Sequence, residues 1–210
     1  MPREVEDLEL ARELLAGSPE AFDRFVDLYH KRLFQYAYLM CGQREDAEEV
    51  SQDTLLSVFA TIDQLRDPGR LKAWVFRIAK NACLMKRRKS VFAPSRVLSL
   101  EELAPARFEG DRTIELADWS RLPDAGLLRS ELRDVLNRAI GDLPEMYRSV
   151  LLLREVEGFS TTEAAEILDV NEAVVKQRLH RARLSVRATM DGYLRSQEVH
   201  ANGKGIDRSS

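Results

Sequence analysis

The chain has 210 residues, 44% of them hydrophobic and 32% charged, with a formal net charge of -3 and a pI near 5.8. That length suits two small domains. No apolar run approaches the ~20 residues a membrane span needs, and Cys41 and Cys83 show neither metal-ligand nor redox spacing, which argues against a membrane-inserted chain or a metal or disulfide framework. The mean charge does not suggest a nucleic-acid binder, but it hides segregation. Five acids lie between Glu45 and Asp53, whereas Arg70 to Ser90 holds eight basic residues and no acid.

Residues 1–16 are acidic and amphipathic, unlike a signal peptide, so the cytoplasm is the expected compartment. Val5–Ala16 reads as a short amphipathic helix, broken at Gly17. Ser18 and Pro19 suit the N-cap and first position of the next helix. That helix, Glu20 to Met40, carries Phe22, Phe25, Val26, Tyr29, Leu33, Tyr36 and Ala37 at helical spacing, with Gly42 as C-cap. Arg44 to about Ile62 is a third helix and Asp67-Pro68-Gly69 a turn. A fourth helix runs to about Arg88. Together these form an all-α domain over residues 5–90.

Residues 91–126 lose the period and are punctuated by Pro94, Pro105, Gly110, Pro123 and Gly126. They read as a flexible linker, with Trp119 unassigned. A second helical domain follows at 127–194. Leu127–Ile140 is a helix, and Pro144 opens another that Gly158 ends. After Gly192 the chain turns polar, and residues 195–210 are expected to be a disordered tail. The fold class is therefore all-α, two small helical domains joined by a linker.

The segment Leu143–Met190 has the layout of a helix-turn-helix. Ser160 with Glu163 is a capping box, and Asn171 caps the helix after the turn Asp169-Val170-Asn171. Val175, Leu179, Ala182 and Val186 then make one apolar stripe. The opposite arc holds Lys176, Gln177, His180, Arg181 and Arg187, with no acid between Ala173 and Arg187. Long donors without acids suit base edges and phosphates. An ordinary solvated helix would mix both signs of charge.

The helix Gly69–Arg88 sets Leu71, Trp74, Val75, Ile78 and Ala82 on an apolar face. Arg70, Arg77, Lys80, Asn81, Arg87 and Arg88 lie opposite, which again fits a phosphate backbone with one or two base contacts. Trp74 is a base-stacking candidate, though its place in the apolar stripe favours the core. Lys86 and Lys89 fall back toward the apolar side. The loop Ala60–Arg70 could hold an unstacked base or be a plain connection. In the acidic helix, Glu45, Glu48, Glu49 and Gln52 frame Leu56 and Phe59. This resembles a protein interface with an apolar centre and a charged rim.

Taken together, DAEEVSQDTLLSVF (Asp46–Phe59), WVFRIAKNACLMKRRK (Trp74–Lys89), LPEMYRSVLLLREVEGFSTTEAAEILDV and NEAVVKQRLHRAR resemble the extracytoplasmic-function sigma factors of bacterial RNA polymerase, over roughly residues 18–90 and 127–190. The resemblance implies that the chain directs core polymerase to promoters and initiates transcription. It implies core-polymerase binding by Asp46, Glu49, Gln52, Asp53 and Leu56. It implies contact with the -10 element by Arg77, Lys80 and Asn81, with Arg87 and Arg88 on phosphates. Lys176, Gln177, His180 and Arg181 would read the -35 duplex. An anti-sigma factor is the further partner it implies. Met85 departs from the polar base-reader expected there.

Two other readings compete. One is a helix-turn-helix activator that binds duplex promoter DNA without replacing the sigma subunit. The other is a metal-dependent hydrolase built on Glu45, Asp46, Glu48, Glu49 and Asp53. Their directions on the helical wheel diverge and no histidine supports them, so the expectation is no enzyme, no metal and no cofactor.

Overall fold

The computed structural model describes residues 2–89 and 126–203. The linker expected over 91–126 lies outside them, except for Gly126. Every regular element described is helical. They are α1 (Pro2–Leu15), α2 (Pro19–Cys41), α3 (Arg44–Thr61), α4 (Leu71–Lys89), α5 (Gly126–Gly141), α6 (Glu145–Leu151), α7 (Thr161–Leu168) and α8 (Glu172–Gly203). The described residues form two compact units, one of residues 2–89 with Leu152–Lys176, the other of residues 126–151 with 177–203.

The local signals act where the sequence puts them. The Ser18 hydroxyl accepts from the Ala21 amide at 3.2 Å, and Pro19 takes the first turn, where its missing N–H costs nothing. Gly42 ends α2 at φ 82°, donating its amide to the Tyr38 carbonyl; that left-handed conformation carries no Cβ penalty in glycine. Between α3 and α4 the chain makes two 3-10 turns, Ile62–Gln64 and Pro68–Arg70. The Asp67 carboxylate accepts from the Gly69 amide at 2.9 Å, and Leu65 is buried beneath this connection.

In the first unit α2, α3 and α4 bury a continuous apolar core that includes Phe25, Tyr29, Leu33, Tyr36, Val50, Val58, Leu71 and Phe76. Phe25 stacks on Tyr29 at 4.6 Å, and Tyr36 meets Phe76 edge-on at 5.4 Å. The buried Tyr29 hydroxyl donates to Asp7 of α1 at 2.9 Å. Burial first, then the Asp7 charge, pushes that phenol well above its ordinary value. Cys83 is buried, whereas Cys41 is half-buried.

After α6 the helix widens into a π-helical turn, Leu152–Val156. The Glu157 amide reaches back five residues to the Leu152 carbonyl at 3.0 Å. Gly158 then adopts φ 70° and breaks the helix. Within the first unit this segment lies against α2 and α4: Phe159 packs edge-on against Phe76 at 5.3 Å.

In the second unit α5, α6 and the body of α8 bury Val135, Ile140, Leu143, Tyr147, Leu179, Ala182, Val186 and Met190. Arg148 is buried too, and it donates to the carbonyls of Gly141 and Leu143. The Gly141 carbonyl is one that the end of α5 leaves without an intrahelical partner. α8 continues to Gly203, beyond residue 195 where a tail is expected, and the rest of that expected tail, residues 204–210, lies outside the described residues. Gly192 costs about 1 kcal/mol inside a helix, and helix formers on both sides carry the helix through it.

Candidate functional site

The capping box at the start of α7 is complete. The Ser160 hydroxyl accepts from the Glu163 amide at 3.1 Å, and the Glu163 carboxylate accepts from the Ser160 amide at 2.7 Å. Burial acts to raise the Glu163 carboxyl, but the two Ser160 hydrogen bonds with Lys72 and Arg70 outweigh it and hold it below the usual value. The turn is tighter than its sequence suggests, because Asp169 itself takes the left-handed conformation at φ 55°. Aspartate is among the few residues that tolerate it. Asn171 then caps α8, accepting from the Val174 amide at 2.9 Å.

The stripe Val175, Leu179, Ala182 and Val186 is buried along α8 as expected. Lys176, Gln177 and His180 are exposed on another face of the same helix, and Arg187 continues it. Lys176 lies 3.8 Å from Glu172, one turn back. Arg181 stands apart from this face. It is half-buried and donates to the Tyr147 hydroxyl at 3.4 Å.

On α3, Val50, Ser51, Thr54, Leu55 and Val58 face the core. Glu49, Gln52 and Asp53 are exposed, and Asp46 is half-buried. Leu56 is 65% exposed and Phe59 63% exposed, so a large apolar area stands open between carboxylates. Phe59 keeps one side against Phe22, ring to ring at 4.7 Å.

On α4, Arg77 and Asn81 are exposed and Lys80 is half-buried. Arg87 is half-buried and donates to the Met40 carbonyl at 3.4 Å. The Arg88 side chain lies outside the described residues. Trp74 is half-buried. Lys86 turns toward α3, 3.3 Å from Asp46 and in an ion pair with Glu49. The charge separation read along the chain is therefore partly closed between neighbouring helices.

A groove of about 550 Å³ runs between α3 and α4, lined by Glu49, Asp53, Leu56, Asn81, Met85 and Lys86, among others. It gathers residues that the sequence reading assigned to different partners: Glu49, Asp53 and Leu56 to polymerase, Asn81 to DNA. Met85, which looked out of place in the sequence, is 59% exposed at this groove. Its position one turn after Asn81 was the available signal. Ala60, at the start of the loop Ala60–Arg70, also lines the groove, and Leu65 of that loop is buried. Among the described residues no cluster of His, Cys, Asp and Glu is arranged to hold a metal ion. No helix among them is long and apolar enough to cross a membrane.

The family model for Sigma-70 region 2 matches residues 25–91, and that for Sigma-70, region 4 matches residues 133–186. The chain is 29% identical over 177 residues to the ECF RNA polymerase sigma factor SigW of Bacillus subtilis, covering 84% of this chain and 92% of that protein. It is 30% identical over 191 residues to the ECF RNA polymerase sigma factor SigM of Mycobacterium tuberculosis, covering 91% and 87%. Among solved structures, CnrH in complex with the cytosolic domain of CnrY is similar with a TM-score of 0.62 and 26% identity, over 89% of this chain and 97% of that one. The sigma factor RpoE from Bartonella quintana, in complex with the anti-sigma factor NepR, shares the fold with a TM-score of 0.58 and 24% identity, over 81% and 96%.

Proposed function

Because the chain belongs to the extracytoplasmic-function sigma factors of the sigma-70 family, we propose a division of labour among three of its surfaces. As such a factor it directs core RNA polymerase to specific promoters. Residues 5–90 form the module for polymerase and the -10 element, and residues 127–194 the module for the -35 element.

The α3 surface binds the core enzyme through Asp46, Glu49, Gln52, Asp53 and Leu56. The exposure of Leu56 inside an acidic rim supports this, since a dewetted apolar centre with a charged border is what protein interfaces use. The α4 surface meets the -10 element through Arg77, Lys80 and Asn81, with Arg87 and Arg88 on phosphates. The -35 duplex is read by Lys176, Gln177, His180 and Arg181. An anti-sigma factor is a further partner; the exposure of Leu56, Phe59 and Met85 supports this, since exposed apolar side chains rimmed by polar ones mark interaction surfaces. The factor works in the cytoplasm and catalyses no reaction of its own; the polymerase does the chemistry.

One observation carries this reading: Lys176, Gln177 and His180 are exposed on α8, away from its buried stripe, behind a fully capped turn. Run-off transcription with core polymerase on a promoter library tests it. Transcripts should come from templates that share two spaced elements, and the chain alone should bind duplex weakly. Tight duplex binding without polymerase, and no transcripts with it, would favour the activator.

A further inference from the structure

We propose that Glu172 is a specificity-determining residue for the upstream element: held by Thr162, it fixes the Lys176 ammonium and turns phosphate away from it. The proposal rests on the reading of α8 as the helix that meets the -35 duplex, and it gives a role to the acid at the head of that helix.

Lys176 lies one turn beyond Glu172. An acid four residues before a base is the order that suits a helix best. Lys176 Nζ lies 3.8 Å from Glu172 Oε2, with the side chains 69% and 47% exposed. The other carboxylate oxygen, Oε1, accepts from the Thr162 hydroxyl of α7 at 2.7 Å. Across the same turn Asn171 caps α8. Glu172 is therefore held at one oxygen and faces Lys176 with the other. An acid in the first turn also suits the positive end of a helix, but that effect has no need of Thr162. The hydroxyl restricts rotamers that a surface glutamate otherwise samples freely.

A lysine ammonium is a compact charge on a flexible stem, and by itself it attracts any phosphate it meets. Beside a held carboxylate the two charges offset each other, so a phosphate gains little there. A guanine edge is different: its O6 and N7 are uncharged acceptors that need N–H donors. At 3.8 Å the contact with Glu172 is electrostatic and not a hydrogen bond, so the donors of the ammonium stay available for O6 and N7. Holding Lys176 before the duplex arrives also reduces the ordering cost of binding. The arrangement favours a base edge over the backbone, and only base edges carry sequence at such a contact.

The test uses the full chain with core polymerase on two templates: one recovered from the promoter library, and the same template with its upstream element scrambled. The readout is the run-off ratio between them, with a thermal melt of each variant. Glu172→Gln should lower the ratio roughly two- to fivefold, the scale of one exposed ion pair, by raising run-off from the scrambled template. Added salt should remove that rise. Thr162→Val should shift the ratio in the same direction, whereas Thr162→Ser, which keeps the hydroxyl, should hold it at the wild-type value. With Lys176→Ala in place, Glu172→Gln should change the ratio no further. A lower melting temperature with an unchanged ratio overturns the proposal, because it leaves only the helix-end effect. An equal shift in the Lys176→Ala background overturns it too, because the acid would then act without that lysine. Wild-type run-off that ignores the scrambling overturns the underlying reading; wild-type run-off that responds, with all variants identical to it, overturns the role of Glu172 alone.

Discussion

The Lys86 ammonium of α4 lies 3.3 Å from the Asp46 carboxylate of α3 and also pairs with Glu49. Two of the acids assigned to polymerase are thus already engaged by a cation of the same molecule. The hydrogen bond that Lys86 donates to Glu49 raises it above the ordinary lysine value; desolvation opposes this as the next largest effect, and the bond to Asp46 adds to the rise. A raised folded value means that this pair stabilises the fold below the ordinary lysine range and stops doing so as pH rises through the folded value.

Lys86→Met therefore frees both carboxylates. Affinity for core polymerase should rise by a small factor, on the order of two- to fivefold, and become more sensitive to salt. Equilibrium binding at two ionic strengths checks this; weaker binding by the variant would argue that Lys86, not the acids, faces the polymerase.

Leu56→Ala separates binding from folding. The side chain is exposed, so stability should stay within about 0.5 kcal/mol of wild type. Core affinity should fall about tenfold, as for an apolar residue at an interface centre. Phe59→Ala should cost stability as well, because its ring packs on Phe22. Chemical denaturation with core-binding titration distinguishes the two.

Lys176→Ala should weaken upstream-element recognition by about 1–3 kcal/mol and leave the melting temperature alone. Arg181→Ala should weaken recognition and stability together, since its guanidinium donates to Tyr147. Tyr147→Phe is the control: it removes that hydrogen bond, worth about 1 kcal/mol, and leaves the charge free for DNA. Transcription from promoters altered only upstream, with thermal melts of each variant, reads both effects.

Ser160→Ala should destabilise the helix-turn-helix by about 1 kcal/mol through the lost cap. It should also flatten the acid limb of stability. The folded Glu163 value lies below the ordinary 4.5, so its contribution is complete above that range and disappears as pH falls through the folded value. Urea midpoints measured from about pH 6 to pH 3 should drop more steeply for wild type than for the variant.

The sequence alone determined what is decided within one or two helical turns. Ser18, Gly42, Ser160 and Asn171 are caps, and a cap needs only its own side chain and the next few amides. The buried stripe of α8 and the exposed Lys176, Gln177 and His180 follow from a 100° step per residue. The all-α class, the helix order and the family resemblance rest on the same local signals. Tertiary structure decided whatever needed a second helix at a particular distance. Periodicity shows that Lys86 leaves the basic face, but only the approach of α3 supplies Asp46 and Glu49. It also decided that Arg87 meets the Met40 carbonyl, and that Asn81 shares a groove with Leu56. The burial of Glu157 needed both a π-helical turn and Arg32, 125 residues earlier in the chain. A helical period sets direction around one axis; the distance between two axes is set by packing, and charges find their partners only after that distance is fixed.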